Sequence, residues 1–193
     1  MDNRERILDA AQRLFGELGY RGTTTRRIAD AAGVNEVTLF RHFGTKGELV
    51  REAVGRAGRT AEFPHLPRKS RDVREELVGW SRLQLAHLYS VRLMIRTVMG
   101  EAQERPELLD AARDRPLRVH AELSGYLARL QRRGLVAGDV DVRACAAMLI
   151  GALFSDAMGR DFMPEVFNYT MDEAPALYVD LLLRAIGGAE RAV

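Results

Sequence analysis

A chain of 193 residues fits one large domain or two small ones, and 47% hydrophobic with 29% charged residues excludes disorder by composition. A formal net charge of +2 selects no class of partner, and the single Cys145 excludes an internal disulfide. No apolar run approaches the ~20 residues that span a bilayer, and the charged, amphipathic start "MDNRERILDAAQ" has no secretory signal pattern, so a cytoplasmic protein without a membrane partner is expected. The charge is uneven. Residues 1–60 hold eleven basic and eight acidic residues, while residues 61–193 hold eighteen and nineteen. The small basic excess is therefore N-terminal, where it favours a nucleic-acid partner.

Apolar residues recur at helical spacing throughout, and few stretches alternate as strands do. Ile7, Leu8, Ala11, Leu14, Phe15 and Leu18 line one stripe, which Gly19 stops. Thr24 or Thr25 caps a second helix, because a hydroxyl accepts a bond from a free N–H of the first turn. Ile28, Ala29 and Ala32 are its inner face, and Gly33 suits the left-handed position that ends a helix. Asn35 then caps a short third helix through His42, with Leu39 and Phe43 facing inward. Glu36, Val37, Thr38, Arg41 and His42 fall on its outer faces. Thr45 and Glu48 form a capping box for a fourth helix. Two helices joined by the tight turn "AAGVN", after a longer one, make a helix-turn-helix, whose short second helix enters a DNA major groove.

The segment "GRTAEFPHLPRKS", with its prolines and charges, is expected to link two domains. Ser70 is expected to cap a helix containing Leu77, Trp80, Leu83, Leu85 and Leu88, with a break near Ser90 before Met94, Ile95, Val98 and Met99. Pro106 opens another helix, running toward Arg133 and ending at Gly134. Asp139 or Asp141 caps "VRACAAMLIGALFSDAM", which is apolar almost all round and so is buried on several sides. Thr170 and Glu173 make a second capping box before "APALYVDLLLRAIGG".

The run "RILDAAQRLFGELGYRGTTTRRIADAAGVNEVTLFRHFGTKGELVREAV" resembles the DNA-binding domain of the TetR family of bacterial transcriptional regulators, over roughly residues 4–54. The pattern "A…LF…GY…T…IA…AGV…TLF.HF..K..L" holds in order and spacing. The resemblance implies an all-α chain. Residues 1–58 would be a three-helix helix-turn-helix DNA-binding domain, and residues 59–193 a helical-bundle domain for ligand binding and dimerisation. It implies that Thr25 and Arg26 touch phosphate and base, that Glu36, Val37, Thr38 and Arg41 face base edges or nearby backbone, and that His42 and Lys46 contact phosphate. Phe40 stands where the family usually has tyrosine; it keeps the ring and lacks the hydroxyl. Independently, arginine forks at 26, 27 and 41 fit the two major-groove acceptors of guanine, and Glu36 can accept from a cytosine amino group. A phosphate at Lys46 gains both its charge and the N–H groups of a helix start.

The implied function is a ligand-responsive regulator, a repressor that releases a palindromic operator when a small molecule binds. The helices near 141–159 and 172–187 would form a four-helix interface in a homodimer, presenting two recognition helices to an inverted repeat. Methionines beside aromatic residues fill cores by default and also suit an adaptable apolar pocket for a hydrophobic effector. Trp80, Leu83, His87, Met99, Tyr126 and Phe154 are the candidate pocket residues. His65, His87 and His120 have no metal-ligand spacing, and no base–nucleophile pairing or phosphate loop occurs, so neither metal, cofactor nor enzymatic activity is expected. The alternative is a protein that binds or sequesters a small molecule and has only non-specific DNA affinity.

Overall fold

The computed structural model describes residues 2–57 and 65–187; positions 58–64 of the expected linker lie outside the described residues. Among the described residues the chain is all-helical: α1 (Asn3–Gly22), α2 (Thr25–Ala32), α3 (Glu36–Phe43), α4 (Lys46–Ala57), α5 (Val73–Ser90), α6 (Arg92–Glu101), α7 (Pro106–Ala112), α8 (Asp114–Arg132), α9 (Val142–Gly159) and α10 (Ala174–Ala185). They form two compact units, Met1–Glu62 with Val91–Pro116, and Phe63–Ser90 with Leu117–Val193. The first unit therefore takes in α6 and α7 as well as the four N-terminal helices.

In the first unit Ile7, Leu8, Ala11 and Phe15 bury one stripe of α1. Gly19, at φ 68° and ψ −179°, breaks the helix before its last turn. Thr24 caps α2 by accepting from the Arg27 N–H at 3.2 Å, and Asn35 caps α3 by accepting from the Thr38 N–H at 2.8 Å. Between them Gly33 sits at φ 64°, a conformation that costs a residue with a Cβ about 1–2 kcal/mol. Leu39 and Phe43 close a core of α1 to α4, as their spacing predicts. A second cluster joins Phe15 of α1, Val50 and Val54 of α4, Met94 and Val98 of α6, and Leu108 of α7. There α1 and α6 approach closely: a Cβ on Gly16 would lie 3.1 Å from the Met94 nitrogen. Arg56 ties α4 to α1, with guanidinium nitrogens 2.5 Å from Asp9 and 2.6 Å from Glu5, and Arg4 pairs with Glu52.

The second unit packs Leu77, Trp80 and Leu85 of α5 with Leu123, Tyr126 and Leu127 of α8, Leu149 and Leu153 of α9, and Val179 and Leu183 of α10. Three local expectations change here. The cap of α5 is Asp72, whose carboxylate accepts from the Glu75 N–H at 3.0 Å; the Ser70 hydroxyl instead bonds the Tyr126 hydroxyl oxygen at 3.3 Å. The single helix expected from Pro106 to Arg133 is two, α7 and α8. Pro116 is the reason: inside one long helix its ring would clash with the carbonyl of Ala112, whereas it fits the first turn of a new one. The third concerns α9, which by length and composition alone is apolar enough to cross a membrane, and which is only 39% buried in the chain.

The loop between α9 and α10 is held by a buried carboxylate. Asp156, fully buried, accepts from Arg160 Nε at 2.5 Å and from the Tyr178 hydroxyl at 2.8 Å, while Arg160 also donates to the Tyr169 carbonyl at 2.6 Å. The Tyr169 and Tyr178 hydroxyls bond each other. Thr170 and Glu173 form the expected capping box, each backbone N–H donating to the other's side chain at 2.8 and 3.2 Å. Removing the Asp156 carboxylate leaves Arg160 and Tyr178 without their shared acceptor. Asp156→Ala should therefore lower stability by about 3–5 kcal/mol, read as a lower urea midpoint at unchanged slope; a loss under about 1 kcal/mol would show that the network does not hold this end of the unit.

Candidate nucleic-acid interface

The recognition face is built from α2, the Gly33 turn and α3. Arg6 of α1 reaches across to the Ala32 and Gly33 carbonyls, the latter at 3.0 Å, and so ties the turn to the first helix. At the other end Arg27 donates to the Gly22 carbonyl at 2.9 Å, fixing the entry to α2. These ties flank α2, and beyond the turn the outer side of α3 carries large apolar surface in water. Val37 is 77% exposed and Phe40 is 44% exposed. Neither belongs to the first unit's core clusters, and a groove lined with thymine methyl groups would suit both.

The nine expected DNA contacts divide by what holds them. Arg26, Val37, Phe40, Arg41 and His42 are exposed. Arg26 and Arg41 enter no ion pair among the described residues, so both guanidinium groups are available. Glu36 and Thr38 are half-buried, contrary to the expectation that both stand free on the outer faces. The cause for Glu36 is the Thr25 hydroxyl, which donates to its carboxylate at 2.8 Å and links the starts of α2 and α3. Lys46 is half-buried too. Its ammonium donates to the Tyr20 carbonyl at 2.5 Å and stands 4.1 Å from the centre of the Tyr20 ring. Burial lowers its pKa, Arg105 lowers it further, and Glu101 acts the other way. Sequence reasoning did not single out Arg6, Arg56 or Tyr20 as supports of this face. Only Tyr20 left a sequence trace, in the "GY" that follows the first stripe.

The six candidate pocket residues do not form one group. Trp80 and Tyr126 share the core of the second unit. The Tyr126 hydroxyl is taken, donating to Glu76 at 2.6 Å. Burial pushes the Glu76 carboxyl up, but the hydrogen bonds from Tyr126, Arg71 and Asp72 outweigh it and hold its pKa below the usual value. His87 and Phe154 are half-buried, Leu83 is 56% exposed, and Met99, 57% exposed, belongs to the first unit. On α5 the Trp80 indole nitrogen and the Ser81 hydroxyl are buried without a hydrogen-bond partner among the described residues. No group of three or more His, Cys, Asp or Glu among the described residues could hold a metal ion.

A short outward helix, capped at its start and bound through a tight turn to two supporting helices, defines a helix-turn-helix protein that binds DNA. Residues 7–53 match the family model described as bacterial regulatory proteins, tetR family, and residues 76–185 match the AefR-like transcriptional repressor, C-terminal domain. The HTH-type transcriptional regulator YvkB of Bacillus subtilis (strain 168) is 30% identical over 132 residues, 68% of this chain and 69% of that protein. A TetR-family transcriptional regulator from Mesorhizobium loti MAFF303099 shares the fold with a TM-score of 0.78 at 22% identity, over 95% of this chain and 96% of that one. The regulator FadR from Bacillus subtilis, solved in complex with stearoyl-CoA, gives 0.71 at 19% identity, over 96% and 99%. The chain belongs to the TetR family of bacterial transcriptional regulators, and is a DNA-binding regulator.

Phe40 offers the simplest test of the face. Phe40→Tyr adds a hydroxyl at an exposed position, within reach of a bound backbone if α3 lies in the groove. It should tighten DNA binding by about 0.5–1.5 kcal/mol, equally on specific and random duplexes, in fluorescence anisotropy titrations. Unchanged affinity on both would place Phe40 away from the phosphates.

Proposed function

We propose that this protein is a ligand-responsive repressor that binds a palindromic operator as a homodimer and leaves it when a hydrophobic small molecule binds. Residues 1–58 read the DNA, and residues 59–193 take the effector and the partner subunit. The observation that carries the first half is the outer side of α3, where Val37, Phe40 and Arg41 are exposed on a helix capped at its start and preceded by a tied turn. Arg41 and Arg26 supply base-edge and backbone contacts from guanidinium groups that no internal carboxylate holds. Thr25 acts through Glu36 as well as through DNA, while His42 and Lys46 contact phosphate.

Dimerisation is supported by α9 and α10. The outer side of α9 exposes Ala144, Ala147, Met148 and Gly151, and α10 exposes Leu177 and Leu181. A Cβ on Gly151 would meet nothing within 4 Å, so packing inside the chain gives no reason for a glycine that costs the helix about 1 kcal/mol against alanine. A second copy of α9 crossing there does. Two such copies set two recognition helices about 34 Å apart, one turn of DNA, or at a longer fixed separation. The effector reading draws on the FadR complex with stearoyl-CoA and on the two buried donors of α5. Leaving a buried donor unmet costs about 1–3 kcal/mol, which an acceptor on a bound molecule would recover.

Selection from fragmented genomic DNA at physiological salt tests the proposal. It should return one inverted repeat beside a promoter; recovery of only random sequence would favour the small-molecule-sequestering alternative. On the selected site Arg41→Ala should weaken binding by about 1–3 kcal/mol and random DNA by much less, while Lys46→Ala weakens both alike. Equal losses for Arg41→Ala on the two DNAs would remove it as a base reader. Leu181→Arg, placing charge on the apolar face of α10, should convert the dimer to a monomer in sedimentation velocity and reduce operator affinity toward that of a half-site.

A further inference from the structure

Tyr20 is a junction of three helices. Gly19 breaks α1 one residue earlier, and side chains from other helices bond both backbone polar groups of Tyr20. Its N–H donates to Glu101 Oε1 at 3.3 Å, and its carbonyl accepts from Lys46 Nζ at 2.5 Å. Its ring carries two cations, with the Arg105 guanidinium carbon 3.5 Å and the Lys46 ammonium 4.1 Å from the ring centre. The second oxygen of Glu101 lies 3.6 Å from Arg105 Nε. Glu101 thus faces the Tyr20 backbone with one oxygen and Arg105 with the other, beside the ring that carries both cations, on a corner where α6 and α7 meet the start of α4 and the end of α1. All four residues belong to the first compact unit.

The arrangement bears on DNA because of Lys46. An ammonium has three donors, and one is given to a carbonyl while its cation rests on a ring. A phosphate must compete with both. Glu101 attracts the ammonium into this cage, and Arg105 repels it, the same opposition that acts on its protonation. We propose that Glu101 and Arg105 are positioning residues for DNA binding, which set how firmly Tyr20 holds Lys46 and so how readily its ammonium passes to a DNA phosphate. The proposal rests on the phosphate role given to Lys46 above. It makes the α6–α7 corner part of the DNA-binding apparatus, although neither Glu101 nor Arg105 needs to touch DNA.

Direct charge effects would move affinity in the same sense, so the test is a double-mutant cycle with a second, structural readout. Glu101→Gln should tighten binding to a random 20-bp duplex about threefold, and this gain should vanish in the Lys46→Met background. An equal gain in both backgrounds would mean that Glu101 acts on DNA by its own charge, and would overturn the proposal. Lys46→Met with no effect on affinity or on the salt slope would instead remove Lys46 from the phosphate contacts, a failure of the reading on which the proposal rests. The second readout uses the lysine count: the chain has only Lys46 and Lys69. Protein labelled with ¹³C-lysine should give two ε-methylene signals, one moved upfield by the Tyr20 ring. Adding the duplex, or substituting Glu101→Gln in its absence, should shift that signal toward the position of an exposed lysine. A signal unmoved by either would show that the cage does not exchange Lys46 and would also overturn the proposal.

Discussion

The left-handed backbone at Gly33 sets the angle between α2 and α3, and the reading face depends on that angle. A Cβ there would be strained by the φ of 64° and would lie 2.6 Å from a guanidinium nitrogen of Arg6. The same turn is thus fixed twice, by conformation from within and by the Arg6 bonds from α1. With the angle fixed, Leu39 and Phe43 point into the core, and the remaining faces of a helix of only eight residues have nowhere to go but outward. Outward apolar residues at this position follow from geometry. Their persistence in water argues for a surface that meets something.

Much of the first unit was legible because its signals are local. Caps at Thr24 and Asn35, the glycine at 33 and the spacing of Leu39 and Phe43 each act within four residues, the range over which a sequence pattern can be read. The second unit was legible where the same holds, as in the Thr170–Glu173 box. It was misread at Ser70, where Asp72 lies two residues closer to the helix and offers a carboxylate. It was misread again at Pro116, whose meaning depends on whether a helix runs through it or starts before it.

Long-range supports left no such pattern. Arg56 pairs with residues 47 and 51 positions away, and Tyr20 meets Glu101 across 81. A lone arginine or tyrosine in a sequence carries no mark of the partner it will find after folding. The same limit applies to exposure. Thr25 and Glu36 were expected to face DNA as separate contacts, and the hydrogen bond between them appears only when two helix starts are brought together. The pocket residues failed to group for this reason also: helical periodicity assigns faces, but it does not say to which unit a helix such as α6 will attach.

Trp80 is the only tryptophan in the chain, and it is 3% exposed within the core of the second unit. Its emission is therefore a private signal of that unit. Red-shifted emission during unfolding reports water reaching α5 and says nothing of α1 to α4, whereas helical circular dichroism sums over both units. Any lag between the two signals measures how independently the units come apart. The indole N–H, without a hydrogen-bond partner among the described residues, adds chemical sensitivity to this emission, since an acceptor arriving beside it would alter the excited state directly. The molecule thus carries a built-in optical probe in the core of its second unit.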